Sequence, residues 1–494
     1  MKIVNFSLVI IGLLFFINSA VINVPAQSNG QVITVTNNGD SLDINPGDNI
    51  CADSTGQCTF RAAIQEANAT PGNDVIIFAL SRPSVIDLSI GQLPISQNVA
   101  IVGPGARALT LQRSSSAGTP DFRIFNVPNN SGTNIIIRGI TIKNGNALNS
   151  PSGGGINVER GNTVNLTDVA ISNNRAVVGG GIANAGTVNL MRCLLNSNTA
   201  NAQGGAIINL DSLSVFNIFN STITNNSAET AGAINNNGNL LLVNNTITNN
   251  FGTNLVSSTS NGSGGTINIL NTIIGNDASS VNTLQGSFTS YGSNIITDAR
   301  GSTGFVNGVN NDQVSNNNTI NPLLENLADN GGQTDTRALQ PGSPAINRGN
   351  NCVRTGTCSL PSGQFIRLTS DQRINHNRLI GQSVDIGAFE AGAAPVTGSL
   401  GFGALGRSRP SGGGLAILTS AGTGDKLYSF INPFGSFTFQ NLSISDVYIL
   451  EIRNKRLSFN SPLVFAFDTI PFSTSPENEA KQLTLDLTKG EISF

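Results

Sequence analysis

The chain has 494 residues, 38% of them hydrophobic and 11% charged, with a formal net charge of −3. So little charge, on balance acidic, excludes the basic footprint that nucleic acid requires. The abundance of Gly, Asn, Ser and Thr alone would suit disorder, but the apolar fraction and a regular Ile/Val/Leu spacing argue against it.

The first residues read as an export signal over 1–26. Lys2 supplies a positive start, Val4 to Phe16 a short apolar core, and Val24-Pro25-Ala26 a small-residue cleavage site, with a mature start near Gln27. The rival reading is an uncleaved anchor. No later stretch is long and apolar enough to span a bilayer, so no transmembrane segment is expected after cleavage.

Residues 27–130 form an N-terminal cap and first coils. Short β-branched runs (Val32–Val35, Val75–Phe78, Val85–Leu88, Val99–Val102, Leu109–Leu111) alternate with Gly/Pro/Asn turns and predict strands. One interruption is helical: Thr59 can cap, and Phe60, Ile64 and Ala67 fall on one face before Pro71-Gly72. Such a helix suits a plug for the exposed strand edges of a first coil. Asp40, Asp43, Asp48 and Asp53, with Asn45, could hold Ca²⁺ outside a cell, although their spacing is not that of an EF-hand. The alternative is a solvated turn around Pro46-Gly47.

Cys51 and Cys58 lie close together, as do Cys352 and Cys358, and in an exported chain each pair predicts a local disulfide. No Cys/His cluster with zinc spacing accompanies them. Cys193 is left over at the repeat position of Val169, which predicts a small buried core residue.

Residues 131–320 repeat. Ala170-Ile171-Ser172-Asn173-Asn174 recurs at Leu194–Asn198, Thr222–Asn226, Thr246–Asn250 and Thr272–Asn276. The central residues Ile171, Leu195, Ile223, Ile247 and Ile273 stand 24, 28, 24 and 26 positions apart. A second phrase, Gly154-Gly155-Ile156, Gly180-Gly181-Ile182, Gly205-Ala206-Ile207 and Gly232-Ala233-Ile234, steps by 26, 25 and 27. A period of this size marks a solenoid, whose coils bury apolar faces only against their neighbours. Recurrent Asn at one corner predicts an amide ladder. Gly161 to Ile320 holds nine charged residues, among which Asp168, Arg175 and Arg192 could converge across coils.

Residues 321–391 carry Pro, Gly and more charge, and are expected to end the solenoid and close its second edge. His376, beside Arg373 and Arg378, is expected at the surface. Asp371-Gln372-Arg373 and Asp385 read as an internal charge and hydrogen-bond network. Ala391 to Pro395 is a linker. In 396–494 aromatics concentrate in alternating runs, with Asn432-Pro433-Phe434-Gly435 as a turn, and predict a small β-sandwich.

Three stretches resemble known families. Cys58-Thr59-Phe60-Arg61-Ala62-Ala63-Ile64-Gln65-Glu66-Ala67-Asn68 resembles the CSLREA motif of bacterial exported β-helix proteins. Ala62 replaces the Glu usual there, so the reciprocal capping-box bond is missing. Asn321-Pro322-Leu323-Leu324, Asp329–Thr334, Pro341–Ile346, Asp371-Gln372-Arg373 and Asp385–Glu390 resemble, in order, the choice-of-anchor Q domain. Residues from about 396 to 460 resemble carboxypeptidase-regulatory-like domains. Together these resemblances imply an all-β chain built on a right-handed parallel β-helix of the pectin-lyase-like kind, with a short capping helix and a C-terminal sandwich. They carry no agreed activity.

Function is open to three readings. A polysaccharide lyase or glycoside hydrolase needs clustered carboxylates, and the coils show neither adjacent Asp pairs nor a Gly-His-Gly phrase. No catalytic residue is therefore assigned. A secreted or cell-surface binding protein, taking extracellular polysaccharide or cell-surface components as partners, fits the long flat faces and low charge. It is expected to be a monomer needing no cofactor beyond a weak Ca²⁺ candidate. The third reading is a structural spacer carrying 396–494.

Overall fold

The computed structural model describes residues 30–129, 132–258, 265–275, 283–361, 366–373 and 376–391, together with eight strands between Val396 and Ser493. The chain is nearly all β. Residues 32–314 wind a parallel solenoid of about seven turns.

From Asp74 onward the coils contribute strands to three faces, and Asn146–Ser152, Arg175–Val178 and Thr199–Gln203 add a short fourth sheet. The first face stacks Val32–Val35, Asp74–Phe78, Val99–Val102, Asn134–Arg138, Thr163–Thr167, Thr187–Met191, Val215–Phe219, Asn239–Val243 and Thr266–Leu270. The second face runs from Ser84–Leu88 through Ala170–Ser172 and Thr246–Thr248 to Gln313–Val314. The third runs from Leu93–Pro94 through Ile156–Val158 and Ile207–Asn209 to Asn254–Ser257.

Period-2 alternation along each strand sends one set of side chains inward. On the first face Ile33, Ile76, Ile101, Ile137, Leu166, Leu190, Ile218, Leu242 and Ile269 lie in register and are all buried. Ile86, Leu111, Ile142, Ile171, Leu195, Ile223, Ile247 and Ile274 do the same on the second. Each such side chain contributes about 1.5–3 kcal/mol of burial. The last repeat is shifted by one residue relative to the sequence alignment. Ile247 stacks on Ile274, not Ile273. A one-residue slip exchanges faces, so Ile273 points outward.

The corners explain the repeated Asn and Gly. In Thr224-Asn225-Asn226 and Thr248-Asn249-Asn250 the first Asn takes a left-handed φ of 57° and 54°. The second turns inward: Asn174 donates to Asn198 Oδ1 at 3.0 Å, Asn198 to Asn226 at 2.9 Å, and Asn226 to Asn250 at 2.9 Å. In the glycine phrase, a Cβ on Gly154, Gly180 or Gly205 would fall 2.2–2.5 Å from the carbonyl oxygen of the stacked glycine. The second position tolerates Ala206 and Ala233, which matches the drift from Gly-Gly to Gly-Ala.

The helix Phe60–Ala69 covers the first coil. Thr59 Oγ1 accepts Ala62 N at 3.1 Å, and Phe60 packs against Phe78 and Phe125. The motif residues are all bonded locally. Arg61 donates to both oxygens of Asp40 and to the carbonyls of Gly91 and Gln92. Gln65 accepts Asp43 N, Glu66 accepts Gly47 N and Asn49 N, and Asn68 holds Pro94 and Ser96. The Cys51–Cys58 and Cys352–Cys358 disulfides are both formed.

Residues 321–391 do not simply finish the last coil. They run along the flank, over the corner between the first and second faces. Their partners extend from Arg107, which donates to Gly332 O, through Arg192, Cys193, Thr222, Asn244 and Asn271, to Gln313, which donates to Pro344 O. Apolar side chains seal it. Val353, Leu360, Ile366, Leu368 and Val384 cover Leu241, Val243 and Leu270, while Leu324, Leu339 and Phe389 cover Ile273 and Ile295. The expected edge closure is thus a flank strap, because the outward residues of the later coils are apolar and demand a cover.

The linker expected at 391–395 lies almost wholly outside the described residues, and after it two four-stranded sheets form. One joins Val396–Gly401, Ser436–Phe439, Gln482–Asp486 and Glu491–Ser493. The other joins Gly414–Ser420, Lys426–Ile431, Val447–Asn454 and Leu463–Asp468. The export signal and the turn at 432–435 lie outside the described residues.

Candidate functional site

The outer side of the first face carries three columns. The middle one reads Ile136, Asn165, Asn189, Asn217, Leu241. Asn165 donates to Asn134 Oδ1 at 2.9 Å, Asn189 to Asn165 at 2.9 Å, and Asn217 to Asn189 at 2.8 Å. Beside it run Thr163, Thr187, Val215, Asn239 and Thr266, half-buried to exposed, with Thr266 donating to Asn239 Oδ1. The third column, from Met191 and Phe219 onward, lies against the flank strap. The strap therefore forms one wall of a flat, uncharged amide and hydroxyl strip. Each amide spends one N–H on its neighbour and keeps a second. Such a strip can hydrogen-bond a hydroxyl-rich ligand. It has no titrating group for acid–base chemistry.

Three ion pairs of the solenoid lie elsewhere. Arg192 makes a bidentate pair with Asp168, so two of the three residues expected to converge do so. Arg175 does not; it is exposed and reaches Asn201. Asp298 pairs with Arg300 and Asp211 with Arg160. Burial pushes Asp312 above the ordinary carboxylate range, opposed by bonds from Ser290 and Asn294.

The four N-terminal carboxylates do not gather. Asp40 holds Arg61 and the backbone N–H groups of Ser89 and Ile90; Asp43 accepts Asn45 N; Asp48 accepts Ile50 N; Asp53 caps Thr55 and Gln57. Thr55 and these backbone donors hold the Asp53 carboxyl below its usual range. Among the described residues no three His, Cys, Asp or Glu side chains are grouped to hold a metal ion.

Cys193 is buried in the core, and burial pushes its thiol up to about 12. His376 is half-buried rather than at the surface, with burial, then Arg373, holding its pKa below the usual value. Asn254–Ser257 continues the third face, and 259–264 lie outside the described residues.

The network at Asp371, Arg373 and Asp385 is present and larger than expected. Arg373 donates to Asp371 and lies over the Phe389 ring at 3.6 Å. Arg378 and Glu390, both fully buried, join it. The sequence names Glu390 only as the end of the Asp385–Glu390 stretch and Arg378 only as a neighbour of His376; nothing in their spacing shows that they turn inward. The docking of Arg107 onto Asp329 and the glycine turn was equally invisible, since Gly332, whose carbonyl Arg107 reaches, is 225 residues away.

Among the described residues no helix is long and apolar enough to cross a membrane, and the two disulfides are compatible with an extracellular location. No family model matches the chain, and no curated protein matches it.

Proposed function

We propose that this chain is an exported, non-catalytic binding protein, carried on or near a bacterial surface, whose solenoid takes extracellular polysaccharide or related cell-surface components. One observation carries the reading. The Asn/Thr strip lies on the outer side of the first face and is uncharged, with Asn165 and Asn217 8% exposed, while the pairs Asp168–Arg192, Asp211–Arg160 and Asp298–Arg300 neutralise one another elsewhere. Stacked coils repeat at roughly 4.8 Å, so the strip offers an extended hydroxylated chain a row of amides at Asn165, Asn189 and Asn217, flanked by Thr163 and Thr187 on the first two of these coils. The CSLREA-like helix, the choice-of-anchor Q-like strap and a carboxypeptidase-regulatory-like sandwich over 396–494 agree with an exported scaffold of this kind.

The full chain on a glycan array and on intact bacterial cells tests the proposal. Binding without release of unsaturated or reducing-end products supports it. Turnover of a polyuronate would make the protein a lyase instead. Binding that resides wholly in 396–494 would reduce the solenoid to a spacer.

A further inference from the structure

One end of the strap gathers three buried acids, Asp371, Asp385 and Glu390, around two buried bases, Arg373 and Arg378, all five at most 6% exposed. The strap's third buried base, Arg337, donates to Glu325 O and to Thr248 Oγ1 on the second face. If every group ionises, one negative charge is left in a sealed interior, which is costly. Arg373 is consumed by Asp371. Arg378 is left to serve both remaining acids and reaches neither with a hydrogen bond. Its Nη2 donates to the carbonyls of Asp385 and Gly387 at 2.6 and 2.7 Å, its Nε stands 3.8 Å from Glu390, and Nε and Nη1 lack partners.

The two acids sit where the strap leaves the solenoid. Asp385 accepts Asn347 N at 2.7 Å and Ala391 N at 2.6 Å, and Ala391 precedes the linker to the C-terminal strands. Glu390 accepts Ile380 N and Asp385 N. The same short stretch grips the coils: Asn244 donates to Asp385 O, Ala388 N donates to Thr246 Oγ1, and Gly387 N donates to Asn271 O. From the solenoid side these packed neighbours carry no charge. The nearby His376 belongs to the strap, and Arg348 is exposed.

We propose that Arg378, Asp385 and Glu390 form a pH-sensitive latch, which holds residues 378–391 against the solenoid while the acid pair retains a proton and frees them when both acids ionise. Burial pushes Asp385 up to about 7 and Glu390 well above its ordinary range, with each other's charge adding to the effect on Glu390. A raised native pKa means that the latched form binds the extra proton. Its stability is full at acid pH and is lost as pH rises from the ordinary carboxylate range through about 7 and beyond.

Trypsin tests this on the unsubstituted full chain. Initial cleavage after buried Arg378 is divided by initial cleavage after exposed Arg348, so the protease's own pH dependence cancels. The ratio should rise about tenfold between about pH 6 and about pH 8.5. A constant or falling ratio overturns the latch. In Glu390→Gln the rise should disappear, whatever the variant's overall stability; an undiminished rise there also overturns it. Asp385→Asn serves the same purpose if Glu390→Gln does not fold.

Discussion

Arg192 donates from Nε and Nη2 to the two carboxylate oxygens of Asp168, 2.8 and 2.9 Å away on the preceding coil. Both residues have left-handed backbone at a corner where Asn220, Asn244 and Asn271 occupy the same station, with φ between 46° and 57° along the row. The ion pair therefore stands in for an Asn stack. Asp168→Ala would leave a largely buried guanidinium unpaired and put Ala at positive φ, costing about 3–5 kcal/mol. Replacing both residues with Asn should cost less than about 1.5 kcal/mol. Urea unfolding of the single and double variants checks the difference.

Adjacent Asn residues should differ sharply. Asn226 accepts from Asn198 and donates to Leu195 O, Thr224 O and Asn250 inside the corner. Asn226→Ala breaks a buried ladder and should cost about 3 kcal/mol. Asn225 supplies mainly a left-handed φ and an exposed bond to Asn196. Asn225→Gly should stay within about 0.5 kcal/mol. Melting curves of the two variants decide.

The glycine phrase gives substitutions of opposite sign. A Cβ at Gly205 would lie 2.2 Å from Gly232 O, so Gly205→Ala should lower the melting temperature markedly. Ala231 holds φ 54°, where Gly153, Gly179 and Gly204 stand in earlier coils. Ala231→Gly should stabilise by about 0.5–1 kcal/mol through relief of that strain.

Thiol counting tests the cysteine assignments. With Cys193 in the core and its thiol near 12, native protein should not react with a thiol reagent at neutral pH. After unfolding without reductant, a single thiol should appear, since the other four cysteines are paired. Three reactive thiols would mean that one disulfide is not formed.

The solenoid was legible because stacking imposes the same demand on each coil. Inward aliphatics, corner amides and close-packed glycines recur at a fixed period, and both disulfides join near neighbours in sequence. Local rules failed where the contact was distant. The slip at Ile273 placed an Ile outward, and only the strap, through Leu324, Leu339 and Phe389, makes that position comfortable. The strap's course could not be read because Arg107, Thr222 and Asn244 meet partners more than 140 residues away. The Asn/Thr strip lay hidden within the repeat itself. Thr163-Val164-Asn165 and Thr187-Val188-Asn189 look like coil maintenance, yet the Thr and Asn of each point out while Val points in.

The most direct measurement is a binding isotherm of the full chain against the best polysaccharide found on the array, repeated with Thr187→Glu. That substitution places a charge in the strip without touching the core. The expected result is saturable binding without cleavage, weakened at least about tenfold by Thr187→Glu, or about 1.4 kcal/mol, at an unchanged melting temperature. Cleavage of the polysaccharide, or equal binding by both proteins, would contradict the assignment of the first face as the binding surface.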